Sequence, residues 1–596
     1  MLHCSLPVSL IKSVRSGYAY ASAASSKSLS TSVPQEEKKS SSEFVNFRDP
    51  KVSFAAISTS ELLRSSIVFR LCSYPFIVKN NRKLMGFGRK VLGPTLFKKL
   101  MKSTFYGQFV AGENQEEIQS LIQRYRRYNV KSILDYGFEK EDLESDTVKK
   151  LEGTLYESLE LSDDSSKRIN NENQPVIEFG NRQKNIISSR TSLYSSKGQY
   201  DENLKILMEC IDASARAIAN DAFTVIKLTA LGKPQSLFQF SEFLVQVERF
   251  FNLLSDTTKP GHHTPPSVAS SDIENVQKRL EILGVEMGCD QSTGCLAILD
   301  RSGDGITNLL DWNHLVQFER DLAELFKIKN KEIGRTEQLV STLTEQGVEE
   351  IRNMVHRIDH LAQYAKSKGV RLMVDAEHSY FQPAIRRITV EMMHRFNKEC
   401  CTIFNTYQCY LKNALKEFRQ DMLFAEKNDF FFGAKLVRGA YIEQERKRAK
   451  TLGYPDPTNP TYEATTKMYQ DCFEEFLSAM ERVPRGRVLV MVATHNEDSV
   501  KYAIKRMKER GIKPDHQLIC FGQLLGMCDH ISFPLGNAGY SVYKYVPFGA
   551  VEEVLPYLSR RAYENHSVLS NVSVERQMRW EELKRRFRAG EFFTKP

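Results

Sequence analysis

Long hydrophobic runs are missing from this sequence, and its cysteines form no recognisable framework. No run of 18 or more apolar residues is present, which excludes a helix of the length needed to span a membrane. The eleven cysteines are scattered and contain no Cys-x-x-Cys pair. They are therefore predicted to be reduced thiols in an intracellular compartment. A hydrophobic content of 41% is typical of a globular protein.

Several common catalytic and binding motifs are also absent. The nearest match to a dinucleotide fingerprint, Gly86-Phe87-Gly88, follows no predicted strand and lacks the third glycine. No His-Glu-x-x-His and no grouping with zinc spacing occurs, which disfavours a zinc enzyme. Because Gly-x-Ser-x-Gly is missing too, a serine hydrolase is disfavoured.

Acidic residues are absent from the first 34 positions, where Lys12, Arg15 and Lys27 lie among serines and alanines. This pattern predicts a mitochondrial transit peptide over residues 1–35. Residues 36–104 are predicted to be a polar linker, to about Ser60, followed by a basic amphipathic arm. That arm could lie on an anionic membrane or pack on the protein's own core. The net charge of +9 fits an anionic partner or surface better than a dedicated nucleic-acid binder.

Eight short apolar segments alternate with helical patterns along the rest of the chain. This alternation predicts an α/β fold, a (β/α)8 barrel with a largely helical insertion. The barrel is expected in two parts, residues 105–231 with a polar insertion and residues 370–569. The predicted strands are 131–136, 224–229, 371–376, 402–407, 433–437, 488–493, 517–521 and 542–546.

The insertion, residues 232–369, contains a loop that resembles a calcium-binding EF-hand at residues 300–311. Oxygen-bearing side chains fall at ligand positions, and Gly305 stands at the sixth position, where the turn needs glycine. The twelfth position is an aspartate instead of a bidentate glutamate, so a relict loop is the alternative. The candidate ligands of Ca2+ are Asp300, Ser302, Asp304, Asn308 and Asp311.

Polar residues follow most of the predicted strands, at the ends where such barrels carry their chemistry. A lysine or aspartate in an apolar strand is costly unless it is paired or functional. Because six strand ends carry such residues, a shared polar ligand explains them better than six separate structural roles. These residues are Lys227, Asp375, Glu377, Gln408, Lys435, Arg438, Thr494, His495 and Gln523.

A helix with a paired-arginine end is predicted within Tyr545–Asn565. Val551, Val554, Leu555 and Leu558 recur at helical spacing, and Glu552 and Glu553 suit a first turn. Arg560 and Arg561 point about 100° apart on a helix, so their forks can converge on one carboxylate. A solvated helix face is the alternative.

The motifs KLTALG, VDAE, NTYQ, KLVRGAY, ATHN, CFGQLLGM, YKYVPFG and YLSRRAYEN, in this order, resemble the proline dehydrogenase family, mitochondrial eukaryotic type. The resemblance covers roughly residues 105–569, apart from the insertions. It implies a distorted (β/α)8 barrel that binds FAD without a Rossmann domain. It implies oxidation of L-proline to Δ1-pyrroline-5-carboxylate, with electrons passed to ubiquinone at the matrix side of the inner membrane. Hydroxyproline dehydrogenase, from the same family, is the alternative, and a non-catalytic scaffold is a third hypothesis.

The resemblance also implies roles for individual residues. Arg560 and Arg561 would hold the proline carboxylate with Lys227 on its other side, and Tyr441 would line the pocket. Asp375 and Lys435 would lie beside flavin and substrate, although bacterial members commonly have arginine at the lysine position. The residues implied to line FAD are Ala376, Gln408, Arg438, Gly439, Ala440, Thr494 and His495.

Tyr545 is implied to abut the proline ring, where its bulk would disfavour a 4-hydroxyl group. Crowding of this kind discriminates modestly, about 10–200-fold. The alternative is that Tyr545 belongs to the barrel core. Residues 570–596 are predicted to form a basic C-terminal helix that either touches a membrane or covers the barrel.

Overall fold

A computed structural model describes residues 45–137, 197–218, 221–254, 343–567 and 569–591, together with five short strands between residues 267 and 338. The proposed transit peptide, residues 1–35, lies outside the described residues. So does most of the polar stretch between the first two predicted strands.

Eight parallel strands close into a barrel in the order β1-β13-β12-β11-β10-β9-β8-β2. Every predicted strand is confirmed, with ends that agree with the prediction or shift by up to three residues. The barrel strands are β1 (Val130–Tyr136), β2 (Ala222–Ile226), β8 (Val370–Val374), β9 (Ile403–Gln408), β10 (Phe432–Val437), β11 (Val488–Ala493), β12 (Ile519–Leu524) and β13 (Val542–Phe548).

The helices surround the barrel and form an arm before it, as the alternating pattern predicts. The described helices are α1 (Pro50–Ser53), α2 (Thr59–Cys72), α3 (Pro75–Lys79), α4 (Asn81–Ser103), α5 (Phe105–Phe109), α6 (Gln115–Arg127), α7 (Lys197–Ala217), α8 (Pro234–Leu254), α9 (Glu345–Ser367), α10 (Gln382–Phe396), α11 (Ala414–Lys427), α12 (Ile442–Leu452), α13 (Tyr462–Arg482), α14 (Glu497–Glu509), α15 (Asp529–Asn537), α16 (Leu555–Ser567) and α17 (Leu569–Arg588).

Aromatic side chains fill the middle of the barrel. The ring of Phe223 packs edge-on against Phe404 and Tyr543, with both centroid distances 5.1 Å. A side chain at Gly433 would place its Cβ 2.6 Å from the Cys401 sulfur, so only glycine fits there. The barrel interior is therefore a packed core, and its chemistry must lie at an end.

The insertion, which was predicted to be largely helical, begins and ends with the helices α8 and α9. Between them the described residues form short strands in two small antiparallel sheets. Asp300, Ser302, Asp304 and Asp311 of the EF-hand-like loop lie outside the described residues. Asn308 contributes backbone only, in β5. The short strands are β3 (Ser267–Ala269), β4 (Val285–Glu286), β5 (Ile306–Asn308), β6 (Lys327–Asn330) and β7 (Thr336–Gln338).

The prediction of a polar linker up to Ser60 is wrong for its last part. Phe47 and Phe54 are buried, because α1 packs against α15 and α17. The basic segment after it forms α4, which bends at Gly93, a residue with a φ of 70°. Its second half folds back so that the Phe97 ring lies 3.7 Å from a Cβ built at Gly88. The arm is thus part of the folded unit.

The paired-arginine helix begins later than the apolar spacing predicts. Helix α16 starts at Leu555, so Glu552 and Glu553 lie in the preceding turn and not in its first turn. Gly549, with a φ of 141°, directs the chain into that turn, and Pro556 suits a helix start because it lacks an N–H donor. Val551 and Val554 are nevertheless buried.

The C-terminal helix covers the barrel, which decides between the two alternatives for it. In α17, Met578 and Leu583 are buried in the main core, while Trp580 is exposed. The described part of the chain contains no helix that is both long and apolar enough to cross a membrane.

Candidate functional site

Four polar side chains continue the inward face of the barrel towards its C-terminal end. Asp135 and Tyr545 each lie two positions beyond an interior residue, Ile133 and Tyr543 respectively. Likewise, Lys435 lies two positions beyond Gly433, and Asp375 lies two positions beyond Met373. Because alternate residues of a strand share a face, all four are directed into the mouth of the barrel.

Asp375 is the centre of this group. Its Oδ1 is ion-paired with the Lys435 ammonium, and its Oδ2 accepts a hydrogen bond of 3.0 Å from the Tyr545 hydroxyl. Burial acts to raise the pKa of Asp375, but the charges of Lys435 and Lys227 outweigh burial and hold that pKa below its ordinary value. The carboxylate is therefore ionised at neutral pH, with both oxygens engaged.

Lys227 has a carboxylate partner that the sequence analysis missed. Its Nζ lies 3.2 Å and 3.3 Å from the two carboxylate oxygens of Asp135 at the end of β1. Burial raises the pKa of Asp135 although Lys227 opposes this shift, and the nearby Asp375 adds to it. An aspartate directly after the apolar pair Ile133-Leu134, near the end of β1, was the signal available in the sequence.

The paired arginines of α16 have separate supports. The Arg560 guanidinium donates a hydrogen bond of 2.8 Å to the hydroxyl of Tyr441. Tyr441 precedes α12, six residues after Lys435, so β10 and α16 are linked here. Arg561 is 5% exposed and lies over the Tyr557 ring, with 4.9 Å between its Cζ and the ring centroid. The alternative of a solvated helix face therefore fails for Arg561.

The ends of β9 and β10 carry Gln408 and Gly439. The Gln408 amide donates to the Glu377 carbonyl at 2.8 Å and to the Tyr410 hydroxyl at 3.1 Å. Its Oε1 is buried and has no hydrogen-bond partner among the described residues. Gly439 has a φ of 118°, and a Cβ there would lie 1.8 Å from the Tyr410 ring. The glycine therefore makes room for the Tyr410 ring.

Arg438 is turned towards the starts of two helices. Its guanidinium donates to the hydroxyls of Thr466 at 2.9 Å and Ser499 at 3.3 Å. Its Cζ also lies 4.4 Å from the centroid of the Tyr462 ring. These contacts fix the side chain on α13 and α14, and Ala440 follows it in the exposed part of the same loop.

His495 is a half-buried, neutral imidazole after β11. Its Nε2 accepts a hydrogen bond of 3.1 Å from the Leu524 N–H, so its proton must be on Nδ1. Burial, with the charges of Arg561 and Lys544, lowers the pKa of His495 to about 3. Beside it, the Thr494 carbonyl accepts from the Gln523 amide at 3.4 Å.

Glu377 and Ala376 complete the strand end that begins with Asp375. Glu377 accepts hydrogen bonds from the backbone N–H and the hydroxyl of Thr229, at 3.3 Å and 2.8 Å. Burial raises the pKa of Glu377 despite these bonds. Ala376 is half-buried between the two acids.

A closed parallel barrel with charged and polar groups at the carboxyl ends of its strands defines the class of (β/α)8 enzymes. Within that class, the family model for proline dehydrogenase matches residues 118–574, and the chain belongs to the proline dehydrogenase family.

Curated relatives agree with this assignment. The chain is 44% identical to mitochondrial proline dehydrogenase 1 of Caenorhabditis elegans, over 92% of this chain and 89% of the relative. It is 43% identical to mitochondrial proline dehydrogenase 1 of Homo sapiens, over 93% and 91%. Hydroxyproline dehydrogenase of Xenopus laevis is more distant, at 32% identity over 91% and 90%.

Proposed function

We propose that this protein is a mitochondrial flavoenzyme that oxidises L-proline to Δ1-pyrroline-5-carboxylate, using FAD and passing electrons to ubiquinone. The observation that carries the proposal is the linked set of Lys435, Asp375 and Tyr545 at the barrel mouth, in which Lys435 is buried and the other two are half-buried. It joins a cation, an ionised carboxylate and an aromatic hydroxyl in fixed positions. Such preorganisation suits the alignment of a small zwitterionic substrate.

The residues at the ends of β9 and β11 fit a flavin. Buried polar groups are normally hydrogen-bonded, so the unpartnered Oε1 of Gln408 suits a ligand donor such as a flavin imide N–H. The proton on His495 Nδ1 supplies a neutral donor nearby in the fold. Thr494, Arg438, Gly439, Ala440 and Ala376 would complete the flavin-binding set. A bound flavin would supply the hydride acceptor, which protein side chains lack.

The remaining residues of the site orient the substrate. Arg560, held by Tyr441, and Arg561 would take the proline carboxylate, because a guanidinium fork matches a carboxylate bidentately. Lys227 would stand on the other side, where Asp135 partly balances its charge. Asp375 would hold Lys435 and Tyr545 in place, since its lowered pKa makes it a poor proton acceptor.

Proline is favoured over trans-4-hydroxyproline because Tyr545 fills space at the barrel mouth. Its hydroxyl is fixed to Asp375, so the ring cannot swing aside without losing that bond. Relatives named proline dehydrogenase are also more similar to the chain than those named hydroxyproline dehydrogenase. Their mitochondrial names support the same compartment, and the basic arm supports peripheral association with the matrix face of the inner membrane.

The test is an anaerobic absorbance titration of the protein without its first 35 residues. Proline is expected to bleach the oxidised-flavin band at about 450 nm, and trans-4-hydroxyproline to bleach it much more slowly. Arg560→Ala should weaken the apparent affinity for proline while the flavin stays bound. Lys513→Ala, at an exposed lysine after α14, is the matched control. A colourless protein that takes up no added FAD would overturn the proposal.

A further inference from the structure

Exposed apolar side chains are concentrated in the N-terminal arm. Among the described residues, ten of the thirteen large apolar side chains that are exposed lie between Leu63 and Leu100. Apolar residues scattered singly need no explanation, but a cluster of this size marks an interaction surface. Six of them belong to α4, namely Leu84, Phe87, Val91, Leu92, Leu96 and Leu100.

The apolar residues of α4 lie on defined stripes on each side of the bend at Gly93. Leu84, Phe87 and Val91 recur at intervals of three and four, and Leu92, Leu96 and Leu100 at intervals of four. The core-facing side is separate from these stripes, since it carries the buried Asn81, Phe97 and Met101. Within the described part of the chain, the exposed stripes therefore do not pack against other residues.

The same surface is strongly basic. Between Glu61 and Glu113 the sequence has ten lysines and arginines and no aspartate or glutamate. Lys98 and Lys102 pair with Glu113 at 2.8 Å and 3.2 Å. The remaining basic residues of α3 and α4 are exposed, namely Lys79, Arg82, Lys83, Arg89, Lys90 and Lys99. We call these cations together with the six exposed apolar residues of α4 the α4 surface.

We propose that the α4 surface is the membrane-docking face of the protein and that its partner is an anionic phospholipid surface. Apolar side chains flanked by lysine and arginine match the boundary between acyl chains and anionic head groups. A second copy of the chain fits poorly, because two copies of this face would bring cations together. The inference rests on the membrane association proposed above and assigns it to a surface.

The test compares flotation of the full chain with vesicles of phosphatidylcholine alone and with added cardiolipin. The wild type should bind only the cardiolipin vesicles, and binding should fall as salt rises. Lys83→Glu/Lys90→Glu should reduce the bound fraction roughly tenfold or more, and Phe87→Ser/Val91→Ser should also lower it. Matched controls are Lys505→Glu/Lys513→Glu and Phe587→Ser, which alter exposed residues elsewhere.

Proline oxidation with a soluble dye acceptor is measured on the same samples. It should be unchanged in every variant, so that a failure of the proposed function is distinguished from a failure of the surface assignment. If the wild type binds and both α4 double variants bind equally well, another surface docks and this proposal is wrong. A different result would also overturn the proposal. If the wild type binds no lipid but self-associates, and Phe87→Ser/Val91→Ser abolishes the self-association, a second copy of the chain covers the surface instead.

A second feature, a cavity of about 250 Å³, lies between the arm and the barrel. Leu62, Val110 and Leu121 give it apolar walls, and Leu525 and Gly526 close its barrel side. The N–H of Leu524, just before them, is bonded to His495. One short segment therefore separates the cavity from the end of β11.

Two arginines that line the cavity carry unsatisfied hydrogen-bond donors. Arg579 is 1% exposed, and its Nε and Nη1 have no hydrogen-bond partner among the described residues. The Nε of Arg64 is also buried and has no hydrogen-bond partner among the described residues. Buried donors of this kind suit a ligand with acceptor oxygens.

The charges around the cavity narrow the class of ligand. The cations Arg64, Lys102 and Arg579 are matched in number by the carboxylates Glu61, Glu117 and Asp529. The lining is therefore close to neutral, which favours a neutral ligand over an anion. A cavity with apolar walls and a few fixed hydrogen-bond donors is suited to a ligand whose ring carries carbonyl oxygens.

We infer that this cavity binds the head group of the quinone acceptor. Oxidation of proline to the imine releases two electrons and two protons, and reduction of a quinone to its hydroquinone takes up the same number, so the exchange balances. The inference rests on the proposed function and specifies where its second substrate binds.

Steady-state kinetics with a short-chain ubiquinone analogue test this assignment. Arg64→Leu removes a donor, and Leu121→Trp fills the space. Both should raise KM for the quinone about tenfold or more. Arg64→Leu does so because the quinone loses a buried hydrogen-bond partner, and Leu121→Trp because the new ring occupies the space of the quinone. Anaerobic bleaching of the flavin by proline should be unchanged. Arg576→Leu, at an exposed arginine of α17, is the control. Unchanged quinone kinetics in both variants, or an equal loss of proline-driven bleaching, would overturn the assignment.

Discussion

Tyr545 combines two functions that can be separated by substitution. Its ring occupies the barrel mouth, and its hydroxyl donates to the Oδ2 of Asp375 at 3.0 Å. Burial raises the pKa of Tyr545 well above its ordinary value, so the hydroxyl remains a donor across the working pH range. Bulk should control which substrate enters, and the hydrogen bond should control the position of Asp375.

We therefore expect Tyr545→Phe and Tyr545→Ser to differ. Tyr545→Phe keeps the ring, so the proline-to-hydroxyproline ratio of kcat/KM should stay unchanged while both values fall by roughly tenfold, the loss of about 1.4 kcal/mol from one buried hydrogen bond. Tyr545→Ser should move the ratio towards hydroxyproline. Steady-state kinetics on both substrates measures this. An equal ratio in all three proteins would show that Tyr545 acts only as barrel core.

For single residues, the sequence predicted which residues belong to the site better than it predicted their contacts. The sequence was sufficient to identify Lys227, Asp375 and Lys435, because a charged residue in or next to an apolar strand can be recognised without a structure. It could not pair Lys227 with Asp135, whose strand β1 lies 92 positions earlier in the chain. Nor could it foresee that Tyr410 fills the space beside Gly439, since that depends on a side-chain direction.

Among the elements, α17 is attached to the barrel by buried charges. Lys544 of β13, which is 0% exposed, pairs with Asp529 of α15 at 2.8 Å, and Arg579 of α17 lies 3.5 Å from the same carboxylate. His530 lies between two helices, 3.6 Å from the Glu497 carboxylate and 3.7 Å from that of Glu575. Burial alone would lower the pKa of His530, but the two carboxylates outweigh burial and raise it to about 9.

This network predicts a pH-dependent stability. A histidine with a raised pKa stabilises the folded state fully below its ordinary pKa of about 6.5, and this contribution is lost as pH rises towards about 9. The pKa of Glu497 is lowered to about 2 and that of Glu575 lies well below its ordinary value, so neither titrates in this window.

The free energy of unfolding should therefore fall by a few kcal/mol across the window. Urea unfolding at a series of pH values measures it. His530→Gln should flatten the slope whatever it does to absolute stability. A slope that persists in that variant would assign the effect to other groups.

Strands were easier to predict than helix starts for a physical reason. Most barrel strands are rich in apolar residues, and a polar residue lies at or just after the end of most of them, so their limits can be recognised in the sequence. The start of α16 is set by Pro556 and by the conformation of Gly549, which apolar spacing does not report. The same limit hid the packing of Phe47 and Phe54, because a short polar stretch conceals two buried rings.

On the scale of the whole molecule, the arm helps to close the barrel. The N–H of Ala111 donates to the Pro547 carbonyl at 2.9 Å, and the N–H of Gly549 donates to the Gly112 carbonyl at 3.0 Å. Helix α2 packs on α17, so segments near both ends of the described chain contact each other. Closure of the barrel between β1 and β13 is thus reinforced from outside by residues that precede β1.

Truncations should reveal this dependence. Removing residues 1–44 eliminates none of the contacts described here, so flavin content and melting temperature should be unchanged. Removing residues 1–103 also strips away Phe54, Leu62 and Phe69, all buried in the main core. Each large apolar side chain lost from a core costs about 2–5 kcal/mol, and a whole domain is stable by only about 5–15 kcal/mol.

The longer truncation is therefore expected to yield aggregated protein without flavin. Phe54→Ala in the full chain is a milder test of the same dependence. It should lower the melting temperature and leave proline oxidation intact at low temperature. Differential scanning fluorimetry with flavin absorbance follows all three proteins. A soluble, flavin-bound 104–596 fragment with an unchanged melting temperature would show that the arm serves the membrane and the acceptor alone, with no part in holding the barrel closed.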